Sequence, residues 1–212
     1  MTKVYEYGRI AKLAESLGKA GISQEIVEQV MEGGEAIGKA SSREQVADWM
    51  REAMLRMGRL LDKETRIAVR EACACCLGGK RLEMAKRIAR EHEALEDRVA
   101  AANEAKLVFG HSVEMLGDGR VRVAFSPEGL AEYRCACLGK PRAPLPITYC
   151  YCCGGHVKHH LQTALGRGLT CTVVSSALSS GGRKPCTFVF STQTPCPNPT
   201  VFGSETMPRP AP

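Results

Sequence analysis

Aromatic residues are few in this sequence, and long hydrophobic runs are absent. Aromatic residues account for 5% of the 212 positions, whereas hydrophobic residues of all kinds account for 44%. A hydrophobic core can therefore form, and its side chains must be mostly aliphatic. No segment approaches the roughly 20 consecutive apolar residues of a membrane-spanning helix, and residues 1–7 lack the apolar centre of a secretory signal peptide. We therefore expect a cytoplasmic protein with no membrane partner.

Acidic residues are scarce in the second half of the chain. The sequence has 29 Lys and Arg against 23 Asp and Glu, a net charge of +6, and residues 111–212 contribute 10 basic and 5 acidic residues. A basic region attracts anions and can lower the pKa of nearby thiols. Aromatic side chains are not interleaved with these cations, which disfavours a nucleic-acid partner. A small-molecule ligand fits better, and the charge favours an anionic one.

Cysteine, in contrast, is abundant. Eleven cysteines are present, and they include the adjacent pair Cys152 and Cys153. Thiols stay reduced in the cytoplasm, and an odd number with a vicinal pair fits a disulfide framework poorly. Metal binding or thiol chemistry is the better interpretation. Some cysteines can still be small buried hydrophobes, and we expect this of Cys171 and Cys196.

Most cysteines lie in three short segments that we call knuckles, at residues 73–76, 135–137 and 150–153. In each, a Cys-x-Cys unit is followed by glycine and then by a lysine or histidine. The third knuckle opens the segment 149–162, which also holds three histidines. We expect the three knuckles to meet in space and to form one chemical site.

A zinc site is the first interpretation of the knuckles, because zinc prefers thiolate and imidazole ligands. Cys152 or Cys153 lies three or four residues before His156 at a predicted helix start, and His156 and His160 share a helical face. Adjacent cysteines cannot easily bind one ion, so we expect one of the pair to be idle. An iron–sulfur cluster is an alternative. The candidate ligands are Cys73, Cys75, Cys76, Cys135, Cys137, Cys150, Cys152, Cys153, His156 and His160.

Thiol catalysis is the second interpretation. A helix N-terminus stabilises a thiolate, so Cys152 or Cys153 is a candidate nucleophile, with His156 or His159 as base. The N–H groups of the following Gly-Gly pair are candidate oxyanion donors. A thiol-redox role for the vicinal pair and a purely structural role for the cysteines also remain open. The candidate donors for an anionic substrate are Tyr149, Tyr151, Arg134 and Lys158.

Hydrophobic periodicity divides the chain into a helical first half and a mixed second half. Ser42 and Gln45 form a capping box, and Asp62 is a predicted N-cap. Predicted helices cover residues 4–18, a short segment after Ser23, 43–61, a segment that follows Asp62 and runs past Ala72 into the first knuckle, 80–106, 127–133 and about 153–166. Predicted hairpins pair 111–116 with 120–125 and 169–177 with 186–191.

The last hairpin resembles the C-terminal half of the 4-vinyl reductase-like (V4R) domain. The resemblance covers about 40 residues, from Gly168-Leu-Thr-Cys through Gly181-Gly to Pro-Cys186-Thr-Phe188-Val-Phe190. It implies helices packed on an antiparallel sheet around a small-molecule pocket, with zinc bound in some members by an acidic residue and cysteines. Cys186 matches the final cysteine, but Ser175 and Leu178 stand where the other ligands would be, so any metal must use the knuckles. The whole chain is also similar to bacterial cysteine-rich proteins with such knuckles.

These observations predict an α+β protein with an N-terminal helical bundle packed on a small antiparallel sheet with a helix. The predicted parts are 1–109 (helical), 110–191 (cysteine-rich, ligand-binding) and 192–212 (an irregular, Pro-rich tail). We expect a small-molecule-binding protein with a zinc site, and the alternative is a cysteine-dependent hydrolase of a small anionic amide or ester. A homodimer is an open alternative to a monomer.

Overall fold

The computed structural model describes residues 3–192, so the predicted tail from residue 193 onward lies outside the described residues. Within this range the protein is α+β, as predicted. The helices are α1 (Gly8–Lys19), α2 (Gln24–Val30), α3 (Arg43–Leu60), α4 (Lys63–Ala72), α5 (Gly79–Glu91), α6 (Leu95–Glu104), α7 (Lys106–Phe109) and α8 (Tyr151–Leu165), and the strands are β1 (Ser112–Met115), β2 (Val121–Ala124), β3 (Leu169–Ser175) and β4 (Thr187–Thr192).

Side-chain caps fix where α3 and α4 begin. The Ser42 hydroxyl accepts from the Gln45 N–H at 3.2 Å, and the Gln45 side chain accepts from the Ser42 N–H at 2.8 Å. Asp62 accepts from the Thr65 N–H at 2.8 Å. Both predicted caps are confirmed. They satisfy backbone N–H groups that have no partner inside the helix.

Two helix predictions are wrong. Residues 80–106 form α5, α6 and the start of α7 rather than one helix. The chain extends after Glu91, and the Arg98 side chain holds this break by donating to the carbonyls of His92 (2.8 Å) and Ala89 (3.1 Å). Residues 127–133 form turns with no helix. The N–H of Tyr133 donates to Gly182 O at 2.9 Å, which ties this segment to the β3–β4 connection instead.

The four strands form one antiparallel sheet in the order β1-β2-β4-β3, so both predicted hairpins are confirmed. Val123 and Val173 flank Phe188 on neighbouring strands. All three are buried, whereas Thr170 and Thr172 on the opposite face of β3 are exposed. One face of the sheet therefore packs on helices and the other faces solvent.

Helix α8 is the centre of the molecule and packs against α4, α5, α6 and β3. A single cluster of buried apolar side chains joins the first half, including Leu13 and Met54, to the sheet at Phe188. The knuckles lie around this helix: the first between α4 and α5, the second in the loop before α8, and the third at its start. No helix within residues 3–192 has both the length and the apolar character to cross a bilayer.

Candidate functional site

Thiols from all three knuckles meet beside the first turn of α8. The Cys153 thiol lies within hydrogen-bonding reach of both Cys137 and Cys152. Cys75, from the first knuckle, lines the same two cavities as Cys137 and Cys152. Cys75, Cys137 and Cys152 form a boundary between the two cavities, which we call the thiol wall. Segments some 60 residues apart in the sequence thus supply one surface.

The cavity on one side of the thiol wall, here the apolar cavity, has a volume of about 320 Å³. Its apolar lining comes from Val108, Phe109 and Phe125. The polar part of its lining includes Arg81, Lys106, Cys153 and His156. An apolar pocket with a few convergent polar groups is the usual form of a small-molecule site.

The cavity on the other side, here the cationic cavity, has a volume of about 500 Å³. Arg9 and Lys12 from α1 and Arg70 from α4 line it, together with Tyr7 and Tyr149. Among the described residues that line it, none is an aspartate or a glutamate. Its electrostatic character is therefore positive, apart from the charge of the thiolates themselves.

The three histidines of α8 bind consecutive carbonyls of the first knuckle loop. His156 Nδ1 lies 2.7 Å from Cys75 O, His160 Nε2 lies 3.0 Å from Cys76 O, and His159 Nε2 lies 3.1 Å from Leu77 O. A carbonyl can only accept, so each of these ring nitrogens carries the proton. The loop needs such support because Cys76 adopts a left-handed conformation with φ of 59°.

The bond to Cys75 O also determines the chemistry of His156. With the proton on Nδ1, a neutral imidazole leaves Nε2 with a free lone pair, and His156 lines the apolar cavity. Burial lowers the pKa of His156, and it lowers that of His160 as well, so both rings are neutral at pH 7. His156 is thus prepared to act as a base or as a metal ligand.

The thiols of the site differ in their affinity for protons. Hydrogen bonds from Cys135 and Cys153 lower the pKa of Cys137, helped by Arg9. The hydrogen bond from Cys153, with Arg70 nearby, lowers the pKa of Cys152 to about 6 against the effect of burial. Donating these bonds raises the pKa values of Cys135 and Cys153. Cys153 has one thiol proton, so it donates a hydrogen bond to Cys137 or to Cys152 but not to both at once. Cys137 also accepts a hydrogen bond from Cys135.

Arg70 and Arg9 are the functional residues that sequence reasoning missed. Arg70 is only 3% exposed, lies over the Tyr149 ring at 4.7 Å and donates to Tyr149 O at 3.0 Å. Arg9 donates to Cys137 O at 2.8 Å. Within residues 3–192, neither guanidinium forms an ion pair with a carboxylate. One signal was present: Arg70 lies three residues before Cys73 and therefore shares a helical face with the first knuckle.

Of the four candidate donors for an anionic substrate, Tyr149 lines the cationic cavity, and Arg134, Tyr151 and Lys158 line neither cavity. Arg134 is exposed and pairs with Glu132 at 3.1 Å, and Lys158 pairs with Glu71 at 2.7 Å. Tyr151 is buried, like Tyr149 beneath Arg70.

The remaining knuckle thiols also have structural surroundings. Cys73 donates to Val69 O at 3.2 Å. Cys150 is buried, which raises its pKa to about 12. Buried Cys171, a predicted filler of the core, likewise has its pKa raised to about 12 by burial, and Cys196 lies outside the described residues. Of the first knuckle, only Cys75 and Cys76 face the apolar cavity.

The Gly-Gly pair that follows the third knuckle has a packing role. A Cβ on Gly154 would lie 2.7 Å from Cys171 Sγ, and one on Gly155 would lie 2.5 Å from Glu71 O. Both glycines are inside α8, where backbone N–H groups are used by the helix. The pair brings the thiols of α8 close to α4 and β3.

Metal-binding geometry is not preformed at the thiol wall. In the part of the chain that the structure describes, no three or more His, Cys, Asp or Glu side chains are grouped so that they could hold an ion. Comparisons with family models, with curated proteins and with solved structures give no match. The V4R resemblance therefore stays a prediction, carried by the hairpin and by Cys186.

Proposed function

We propose that this protein binds a small molecule in the apolar cavity, beside a zinc ion held by thiols of the three knuckles and by His156. The supporting observation is that thiols from three distant segments and the free Nε2 of His156 face one cavity. The proposed ligands are Cys75, Cys137, Cys153 and His156, a Cys₃His set of the kind zinc prefers. Cys152 is then the idle member of the vicinal pair.

The surroundings of these residues support this assignment. Metal-ligating histidines usually donate their second ring N–H to a carbonyl or carboxylate, as His156 does to Cys75 O. Cys153 and His156 are three residues apart on α8, so their side chains can converge after rotation about χ1. Zinc with three thiolates carries a net charge of −1, and Arg9, which donates to Cys137 O at 2.8 Å, is close enough to offset it. Zinc would supply the bond energy that orders the knuckle loops.

Elemental analysis of the purified chain tests this proposal. We expect about one zinc per chain, and we expect chelation to reduce the cooperativity of thermal unfolding, because metal-binding free energy contributes to folding. Cys137→Ser and His156→Ala should each lose most of the zinc. Cys171→Ala is the matched control, because its thiol lies against Gly154 and lines neither cavity. A metal-free protein that unfolds cooperatively would contradict the proposal.

A second candidate function is a cysteine-dependent hydrolase with Cys152 as nucleophile. The observation that favours it is the position of Cys152 on the wall of the cationic cavity, where Arg70 stabilises its thiolate. The thiolate would attack the carbonyl of an amide or ester, and the bond to the leaving group would break as that group takes a proton from water. The hydroxide left behind would attack the thioester, which releases the acid and restores the thiolate. His156, which lines the apolar cavity with Cys152, is the candidate base that would pass this proton through Nε2.

Selective labelling tests this second candidate. At pH 7 and with limiting iodoacetamide, we expect Cys152 to be alkylated at least about tenfold faster than the thiols whose pKa is raised, since only thiolates react. Peptide mass spectrometry would identify the site, and Cys152→Ser should abolish the fast phase. Cys171, which is buried with a raised pKa, is the internal reference. Equal, slow labelling of all cysteines would exclude the hydrolase.

A further inference from the structure

We propose that the cationic cavity binds the oxoanion group of a small molecule, a carboxylate or a phosphate, between Arg9 and Arg70. This inference rests on the proposed function, because it assumes that a small-molecule ligand exists. It adds that the ligand carries a charged group and says where that group binds. The bound anion would lie against Cys152, which lines both cavities.

Arg70 is the main reason for expecting an anion. It is a buried cation, and within residues 3–192 it has no carboxylate partner. A guanidinium has five N–H donors. One nitrogen, Nη2, donates to Tyr149 O, and Nε is buried without any partner. Buried charges in proteins are normally paired, because an uncompensated one is costly. Because Arg70 lines the cationic cavity, this cation with unsatisfied donors lies next to an open volume.

Arg9 and Lys12 continue the positive surface toward solvent. They are three residues apart on α1 and therefore share a helical face. Arg9 is held by Cys137 O and lies 3.4 Å from the Tyr7 hydroxyl, which itself lines the cavity as a neutral donor. Lys12 pairs with Glu15 at 3.1 Å, so it belongs to the outer rim. Guanidinium groups match the geometry of carboxylate and phosphate oxygens.

The cationic cavity also has the room that a small anion needs. Three cations line it, and none of the described residues in its lining is an aspartate or a glutamate. Its volume of about 500 Å³ is enough for a small organic anion.

Alkylation with two reagents of different charge tests the inference on the full chain. In both reactions the Cys152 sulfur forms a bond to carbon and iodide leaves. The measured quantity is the rate with anionic iodoacetate divided by the rate with neutral iodoacetamide. We expect this ratio to be about tenfold larger at Cys152 than at a free thiol such as glutathione, in line with one charge-assisted hydrogen bond. Inorganic phosphate should slow the iodoacetate reaction. Arg9→Gln should remove the preference, whereas Lys19→Gln, exposed on the same helix, should keep it.

If the rate ratio of iodoacetate to iodoacetamide is the same at Cys152 as at glutathione, and phosphate does not slow the iodoacetate reaction, the inference is overturned. If Cys152 reacts with neither reagent, calorimetric titration with inorganic phosphate decides: heat that disappears in Arg9→Gln supports the site, and no heat overturns it. Both measurements are made on the protein as purified and after chelation. A chain without zinc that prefers iodoacetate would refute the metal and keep the anion site, and a zinc-bearing chain without the preference would do the reverse.

Discussion

Replacing Gly155 by alanine is expected to destabilise the protein by about 3 kcal/mol or more, because the new methyl group has no space. The Cβ would lie 2.5 Å from Glu71 O and 2.9 Å from Glu71 Cα. These are backbone atoms of α4, so the clash cannot be relieved by rotating a side chain. The two helices would have to separate, although alanine is by itself the better helix former.

Thermal denaturation of a glycine series would measure this effect. We expect Gly155→Ala to lower Tm by about 6–12 °C, given the usual shift for a domain of this size. Gly117→Ala is the control, because nothing lies within 4 Å of its Cβ position. Gly154→Ala should fall between them, since its obstacle is the Cys171 sulfur at 2.7 Å. Adding Cys171→Ala should recover part of that loss in a double-mutant cycle.

The separation of α4 and α8 would also disturb the candidate site. The first knuckle leaves the end of α4, and its carbonyls at residues 75–77 bind the three histidines of α8. A wider spacing lengthens these bonds, so Gly155→Ala should also lose zinc if zinc is bound. Unchanged stability in Gly155→Ala would contradict the packing of the two helices, and with it the meeting of the first and third knuckles.

The fold was predictable where local signals were strong. The Ser42 capping box, the Asp62 cap and both hairpins follow from residues that act on their immediate neighbours. The break between α5 and α6 was not predictable from periodicity. It depends on Arg98 in α6, whose side chain donates to the carbonyls of Ala89 in α5 and of Leu165 in α8. Tertiary contacts of this kind override a continuous helical pattern.

The site was predictable in composition and less so in the roles of its residues. The repeated Cys-x-Cys pattern indicated that the knuckles belong together. It did not separate Cys75, which lines both cavities, from Cys73, which lines the cationic cavity and not the apolar one. That difference arises from the side-chain donation of Cys73 to Val69 O. Arg9 and Arg70 were not predicted as site residues for another reason. An arginine on a helix is usually solvated, and only the packing of α4 against Tyr149 makes Arg70 buried.

Replacing Arg70 by methionine is the second change from which we expect a large effect, a net loss of about 2 kcal/mol, because removing a buried charge offsets part of the contacts that are lost. Methionine fills a similar volume, so little of this is a cavity effect. Tyr149 O loses the donor at 3.0 Å and is left buried without its charged partner. The thiols beside Arg70 also lose the cation that stabilises their charged forms. Arg66→Met, one turn earlier on α4 and partly exposed, is the matched control and should cost less than about 1 kcal/mol.

Arg70→Lys separates the two contributions of the guanidinium. Lysine keeps the positive charge, but it has neither the planar face that stacks on Tyr149 nor the fork of donors. We therefore expect urea denaturation to show a stability between those of the wild type and Arg70→Met. Iodoacetamide labelling of Cys152 at pH 7 should be slow in Arg70→Met and largely restored in Arg70→Lys, because thiolate stabilisation depends on charge. Equal labelling in all three proteins would mean that Arg70 supports Tyr149 alone, and Cys152 would then have no cationic partner in α4.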